Sequence, residues 1–255
     1  METIKIVTCN ARVQTPIDGD QQFIKRVGFL SDKLNELDAD VIAFQELTSA
    51  MRLELIARMP KYGFLGAGRA KDRLGEGAVI AYKQNKLMPE RLISDMLSYT
   101  PHISGSTYGL DQSDCPRIFS SCDFMPILGG EPFRVMNIHT DHIGAKARLL
   151  EVKQFLDSYF DQESLRPMPT IICGDFNATP DSPEISLIRE CGAFVDITDR
   201  FETTFHNFGR LKDPLKIDYI FTTKDLSTVA VDAHIDTKDG LYLTDHYIIS
   251  AEIKR

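Results

Sequence analysis

Several short apolar runs in this chain end in tight polar clusters. Ile4–Val7 ends in Thr8-Cys9-Asn10, and Val41–Phe44 ends in Gln45-Glu46. Val135–Ile138 carries Asn137 and ends in His139-Thr140-Asp141-His142, and Thr170–Cys173 ends in Gly174-Asp175-Phe176-Asn177. A lone acid, Asp218, interrupts Ile217–Ile220, and Thr244-Asp245-His246 precedes the last apolar run. Glu46, Asp175 and Asp245 are hard oxygen donors, with Asn10 as a neutral one. That set suits Mg²⁺ or Mn²⁺ and suits zinc poorly, because no cysteine cluster accompanies it. Histidines beside such an ion could bind or protonate phosphate oxygens, and an aspartate could orient or deprotonate water. Asp218 is suited to fix the tautomer of His246, as buried carboxylates do for imidazoles. Together the inventory reads as metal-assisted hydrolysis of a phosphoryl group. Each piece also has a plainer reading. A Glu after a strand is usually solvated, Asp-Phe-Asn is commonly a turn, and Asp218 has Lys216 nearby as an ion-pair partner.

Such residues act together only if folding brings the strand ends to one rim, where ligands bind in α/β proteins. Strands are expected at Ile4–Asn10, Ala39–Phe44, Gly77–Lys83, Arg117–Met125, Phe133–His139 and Pro169–Gly174, and later at Lys216–Thr223, Thr228–Ile235 and Tyr247–Ile253. Phe23, Val27, Leu30, Leu34 and Leu37 recur at helical spacing and predict a helix over Asp18–Leu37. Further helices are expected at Ser49–Met59, stopped by Pro60, and at Ala145–Phe160, with Leu149, Val152, Leu156 and Tyr159 on one face. Asp181-Ser182-Pro183 opens another, with a capping side chain ahead of a first-turn proline. A Gly/Ser/Asp-rich loop fills Thr100–Pro116. Strands often follow one another directly, which predicts a mixed α/β body with antiparallel neighbours. No linker or repeat divides the chain, so a single domain over residues 1–255 is expected.

Composition narrows the function. With 29 Lys and Arg against 37 Asp and Glu, the net charge is −8. Nucleic acid stays open as a substrate but is not indicated by charge, since coating its phosphates calls for excess Lys and Arg. A bound divalent cation can supply positive charge locally, so phosphate chemistry is not excluded. The five cysteines form no close-spaced pair, which points to a reducing, cytoplasmic setting without disulfides. Met1–Ile6 enters a strand-like pattern at once, so no secretory leader is expected, and no apolar run approaches the ~20 residues of a membrane span. Gly66-Ala67-Gly68-Arg69-Ala70-Lys71 lacks the third glycine of a dinucleotide loop. Arg69, Lys71 and Arg73 form a small basic patch that could meet a substrate phosphate, and Glu76 is ambiguous. No Gly-x-Ser-x-Gly elbow offers a nucleophile, and the absence of tryptophan leaves no stacking platform for single strands in view.

Taken in order, Thr-x-Asn, Gln-Glu, Asn-x-His-x-Asp-His, Gly-Asp-Phe-Asn, Ile-Asp-Tyr-Ile and Thr-Asp-His resemble the endonuclease/exonuclease/phosphatase superfamily from Ile4 to Ile253. Gly66-Ala67-Gly68-Arg69, Leu97-Ser98 with Thr100-Pro101, and Pro116-Arg117-Ile118 look like its small bacterial branch, which is similar to poly(A) deadenylases and nocturnin-like phosphatases. The resemblance implies a four-layer α/β sandwich of two mixed sheets with helices outside. It implies Glu46 as main metal ligand with Asn10 beside it, and Asp245 holding the metal or its waters. Asp175 would position the attacking water, Asn177 would steady the transition state, and His139 and His246 would contact phosphate. Asp218 would orient His246, and Arg117 and His142 would be further phosphate contacts. Arg12 stands where some DNA-repair members carry Asp, Thr244 replaces the commoner Ser, and Tyr99 stands where the branch often has Glu. The implied activity is a Mg²⁺-dependent phosphohydrolase, with Mn²⁺ the other candidate ion. Its substrate would be a nucleotide-like or other small phosphate ester, diester or monoester. A DNA or RNA nuclease and an inert binding module on the same fold are the rival readings.

Overall fold

The computed structural model describes residues 3–254, so the first two residues of the N-terminal pattern lie outside the described residues. In chain order the first half holds β1 (Thr3–Asn10), α1 (Phe23–Leu37), β2 (Val41–Leu47), α2 (Ser49–Arg58), β3 (Tyr62–Leu65), β4 (Gly77–Lys83), β5 (Leu87–Met96), β6 (Ile118–Pro126) and β7 (Phe133–His139). The second half holds α3 (Ala145–Leu165), β8 (Thr170–Asp175), α4 (Pro183–Glu190), β9 (Phe194–Asp196), β10 (Asp218–Thr223), β11 (Ser227–His234), β12 (Thr237–Lys238), β13 (Leu241–Tyr242) and β14 (Ile248–Lys254). Two six-stranded sheets form, ordered β11-β14-β1-β2-β4-β3 and β5-β6-β7-β8-β10-β9.

Alternation along the strands builds four layers. Ile6, Val41, Ala43 and Ile80 of the first sheet meet Cys122, Val135, Ile171 and Ile220 of the second between the sheets. The opposite side of the first sheet, with Val7, Ile42 and Phe44, is covered by Phe23, Val27, Leu30 and Leu34 of α1 and by Met51 and Leu55 of α2. The outer side of the second, with Met136, Ile138, Ile172 and Phe221, is covered by Val152, Phe155 and Leu156 of α3 and by Ile185 and Ile188 of α4. This is the expected helix–sheet–sheet–helix sandwich.

The topology explains why the polar clusters meet. β1 runs parallel to β2, and β7 parallel to β8. Their carboxyl ends, bearing Asn10, Glu46, His139 and Asp175, therefore lie at one edge. β4, β6, β10 and β14 run antiparallel to these strands, so their starts lie at that same edge. Glu76, Arg117, Asp218 and His246 stand at or just before those starts.

Four details depart from the sequence reading. The helix expected from Asp18 begins at Phe23, because Pro16–Gln21 forms a 3₁₀ turn with Gly19 at φ 58°. α3 continues to Leu165, and Leu149 is 38% exposed rather than on the buried face, where Phe155 sits instead. The ten-residue β5 was not expected. It is an edge strand with Pro89, Glu90 and Arg91 in its middle and a register shift there, which hides any clean alternation. The short strands β3, β9, β12 and β13 were also missed. Where the proline-led helix was expected, Ser182 does cap α4 by accepting from the Ile185 N–H. Among the described residues the five cysteines are unpaired, and no helix is long and apolar enough to cross a membrane.

α3 also buries an acid. Glu151 is fully buried, and its Oε2 accepts from the Asp141 N–H at 2.7 Å while Oε1 has no hydrogen-bond partner. Burial pushes its pKa from 4.5 up to about 8. Between those values the unfolded chain has released the proton that the native state keeps. Stability therefore falls as pH rises through that window, by up to about 1.4 kcal/mol per pH unit from this group. Glu151→Gln keeps the acceptor for Asp141 and removes the titration. Urea unfolding at pH 5 and pH 8.5 is expected to show a smaller loss of stability in the variant than in the parent, with the gain confined to the higher pH.

Candidate active site

Local backbone sets the acids in place. Glu46 sits at φ 59° where the β2–β4 register shifts between Phe44 and Leu47, and this bulge turns it out of the strand alternation. Asp175 ends β8 and is paired in register with His139 on one side and Asp218 on the other. The preceding Gly174 passes so close to β7 that a Cβ there would strike the Ile138 carbonyl. Asn177 follows at φ 45°, and its backbone N–H donates to Asp175 Oδ1 at 2.9 Å.

Asn10 was expected as a neutral oxygen ligand, but its nitrogen faces the acids. Its Nδ2 donates to Glu46 Oε1 at 3.1 Å and to Asp175 Oδ2 at 2.9 Å, while its Oδ1 accepts from the Arg12 N–H at 2.9 Å. The backbone donor fixes which way the amide points. Asn10 thus spaces two carboxylates. Glu46 Oε2 accepts from the Val13 N–H at 2.8 Å. Burial opposes the Glu46 charge, but that N–H, Arg12, His246 and Asn10 outweigh it and hold its pKa down. Asp175 goes the other way: burial, then the Asp218 charge, pushes it up. Asp245 is also raised, by burial and by the nearby Glu46 charge, although Arg12 Nε stands 3.6 Å from it.

His246 Nδ1 donates to Asp218 Oδ2 at 2.8 Å, and its Nε2 stands 3.8 Å from Asp175 Oδ2. The Phe205 ring packs on the imidazole with centroids 4.7 Å apart. Burial works against the imidazolium, but Asp218, then Asp245 and Asp175, push its pKa up to about 10. The Asp218 pairing thus fixes the ring, with its Nδ1 proton on the Asp218 side, and favours its protonated form. Asp218 is held in turn by its own N–H, which donates to Thr204 Oγ1 at 3.0 Å.

Arg117 and His142 both reach the cavity wall, yet Arg117 is turned inward. The buried guanidinium donates from Nη1 to His139 Nε2 at 3.1 Å and from Nη2 to His142 Nδ1 at 2.7 Å, with Nε 3.4 Å from Asp141 Oδ2. Asp141 also accepts from the Ser113 hydroxyl and from the backbone N–H groups of Ser113, Ile143 and Gly144. Burial opposes its charge, but these donors hold its pKa down to about 2. His139 is pushed well below its ordinary value by burial and by Arg117.

Glu46, Asp175, Asp245 and His246, with Arg117, His139 and His142, line a cavity of about 540 Å³, while Asn10, Asp141 and Asp218 stand outside its lining. Sequence reasoning named most of its polar lining. It assigned no role to Phe205, Asn207 or Leu215, which come from an irregular segment without periodicity, and it left Arg69 and Glu76 undecided. Those two pair at 2.7 Å across a tight hairpin, whose Arg69 N–H is spent on the Glu76 carbonyl rather than on a cradle for phosphate. Beneath the cavity, Gln45 Nε2 donates to Asn137 Oδ1 at 2.7 Å, and Asn137 Nδ2 donates to the carbonyls of Phe44 and Val79. This buried amide pair ties the two sheets together.

The donor set fits a divalent cation. Burial raises Asp175 and Asp245, with Asp218 adding to the first and Glu46 to the second, and a bound cation would relieve both. Asp175, Asp218 and His246 each offer a ligand atom within 4.8 Å of the others. Asp218 Oδ2 is already engaged by His246, so Asp175 is the member of that trio with a carboxylate turned to the cavity.

A family model described as Endonuclease/Exonuclease/phosphatase family matches residues 8–246. An endonuclease/exonuclease/phosphatase from Bacteroides vulgatus superimposes with a TM-score of 0.92 at 25% identity, covering 100% of this chain and 99% of that one. A Bacteroides thetaiotaomicron mannosyl-6-phosphatase superimposes with a TM-score of 0.88 at 22% identity, over 99% of this chain and 100% of that one. The human nocturnin catalytic domain with a bound sulfate gives 0.74 at 14% identity, over 99% and 93%.

Proposed function

The chain belongs to the endonuclease/exonuclease/phosphatase family, and from that premise we propose that it hydrolyses a compact phosphoester with the help of a divalent cation, Mg²⁺ or Mn²⁺. The observation that carries this reading is the meeting of Glu46, Asp175, Asp245 and His246 in one cavity, with His246 held from behind by Asp218. Glu46 and Asp245 are the residues that would hold the metal, which would supply Lewis-acid stabilisation of charge on the phosphoryl oxygens. Asp175 orients the attacking water and takes its proton; its raised pKa suits a base working near neutrality. Protonated His246 binds a phosphate oxygen through Nε2, with Asp218 fixing the ring. Asn177 and Asn10 steady this arrangement, Asn10 by spacing Glu46 and Asp175. No side chain is called on as a covalent nucleophile.

A small substrate is favoured over a polynucleotide because the cavity's arginines are committed to acids. Arg12 is forked onto Asp18 at 3.0 Å, Arg69 is paired with Glu76, and Arg117 lies beside Asp141. A long strand would call instead for a row of cations free to meet successive phosphates. Val13, Phe205, Leu215 and Ile217 form an apolar side on which an uncharged leaving group can rest. The test is hydrolysis of a chromogenic phosphomonoester and a phosphodiester, side by side, with Mg²⁺, Mn²⁺ or EDTA. Metal-dependent turnover of the monoester is expected to dominate. Turnover of the diester alone would shift the reading to a diesterase or nuclease. Silence on both and on RNA and DNA, with no metal bound, would leave an inert module.

A further inference from the structure

We propose that Arg117 is a positioning residue that fixes the proton positions of two histidines in opposite senses. Its guanidinium can only donate, and it donates to Nε2 of His139 and Nδ1 of His142. Each receiving nitrogen must therefore present a lone pair. His139 carries its single proton on Nδ1, and His142 carries its own on Nε2. Both rings stay neutral, because an imidazolium has no lone pair to offer. Asp141 steadies the fork by accepting from Arg117 Nε, and its remaining acceptor sites are filled by the Ser113–Gly144 donors. His139 is buried, with Nε2 already engaged, and so has no proton there to give a phosphate. His142 is exposed at the cavity rim and offers Nε2–H to one. The clamp thus divides two similar residues into a structural acceptor and a substrate-facing donor. The choice of phosphate as His142's partner rests on the hydrolase reading. The tautomers do not.

The closing experiment reads them directly. Long-range ¹H–¹⁵N correlation on the ¹⁵N-histidine protein has six rings to resolve, assigned by single substitutions. At pH 7.5 the expected result is His139 protonated at Nδ1 and His142 at Nε2. Adding inorganic phosphate with Mg²⁺ is expected to shift the His142 Nε2 signal and leave His139 Nε2 in place. Arg117→Lys, which has one point donor for two rings, is expected to free the His142 tautomer. It is also expected to raise KM for the monoester by about tenfold, with kcat changing less. The opposite tautomers, an imidazolium at either ring, or a phosphate shift at His139 alone would overturn the proposal. The unmodified protein gives these answers even if Arg117→Lys does not fold. Correct tautomers and phosphate shift with a silent ester assay would overturn only the hydrolase reading.

Discussion

Asp175→Asn is expected to lower kcat by about 10³-fold or more, with the melting temperature moved by only a few degrees. The kinetic loss follows from the acid's place. Asp175 is the buried carboxylate nearest both His246 Nε2 and His139 Nε2, and its raised pKa lets it accept a proton from water near neutral pH. An amide cannot accept that proton. The small thermal change follows from two opposing terms. Replacing a buried, strained charge removes an ionisation penalty, as pre-organised sites allow. Against this, one oxygen can still accept from the Asn177 N–H, but the new amide nitrogen meets Asn10 Nδ2, and two donors now face each other at a 2.9 Å contact. Steady-state kinetics with the preferred chromogenic ester and a calorimetric scan of the same sample check both halves. A kcat within tenfold of the parent would remove Asp175 from the reaction.

Arg26→Met is expected to lower the unfolding free energy by about 3–5 kcal/mol, although Arg26 touches neither the cavity nor any acid. Its side chain is fully buried in α1 and answers only to backbone. It donates to the carbonyls of Gln21, Leu243, Ala11 and Arg12, between 2.6 and 2.9 Å. Burial pulls its pKa down to about 10, so it remains a cation at neutral pH. Its flat fork joins the segment after β1 to the one that leads into Thr244-Asp245-His246. Methionine fills the space between Phe23 and Phe208 but leaves these carbonyls without donors. Loosening both segments is also expected to weaken the Arg12–Asp245 approach and so reduce activity beyond the loss of folded protein. Urea unfolding, with specific activity corrected for the folded fraction, measures the two effects separately.

Much of this site was legible before the fold was known, and for a physical reason. Acids at strand ends interrupt apolar runs, so Glu46, Asp175, Asp218 and Asp245 advertise themselves within a few residues of sequence. Antiparallel neighbours were legible from strands following strands, while the two-sheet sandwich was legible only through the family resemblance. What escaped depends on partners far away in the chain. Asn10 looks like an oxygen ligand until the Arg12 N–H claims its oxygen. Arg117 looks like a phosphate contact until two imidazoles receive its protons. Arg26 reads as an ordinary polar position of an amphipathic helix, because nothing local announces four carbonyls converging on it. β5 was hidden by its edge position, where half-exposed residues blur the alternation that marks a buried strand.

The amide pair of Gln45 and Asn137 has a mechanical consequence. Two apolar sheet faces pressed together resist separation, but their attraction has no direction and resists sliding weakly. Here a slip between the sheets would carry Glu46, on one, past Asp175, on the other, and open the acid cluster. Hydrogen bonds are directional, so an amide that donates to Phe44 and Val79 while accepting from Gln45 opposes shear along the interface. It acts as a dowel set through the two plates beside the acid cluster. The rim loops can then vary without disturbing the spacing between Glu46 and Asp175.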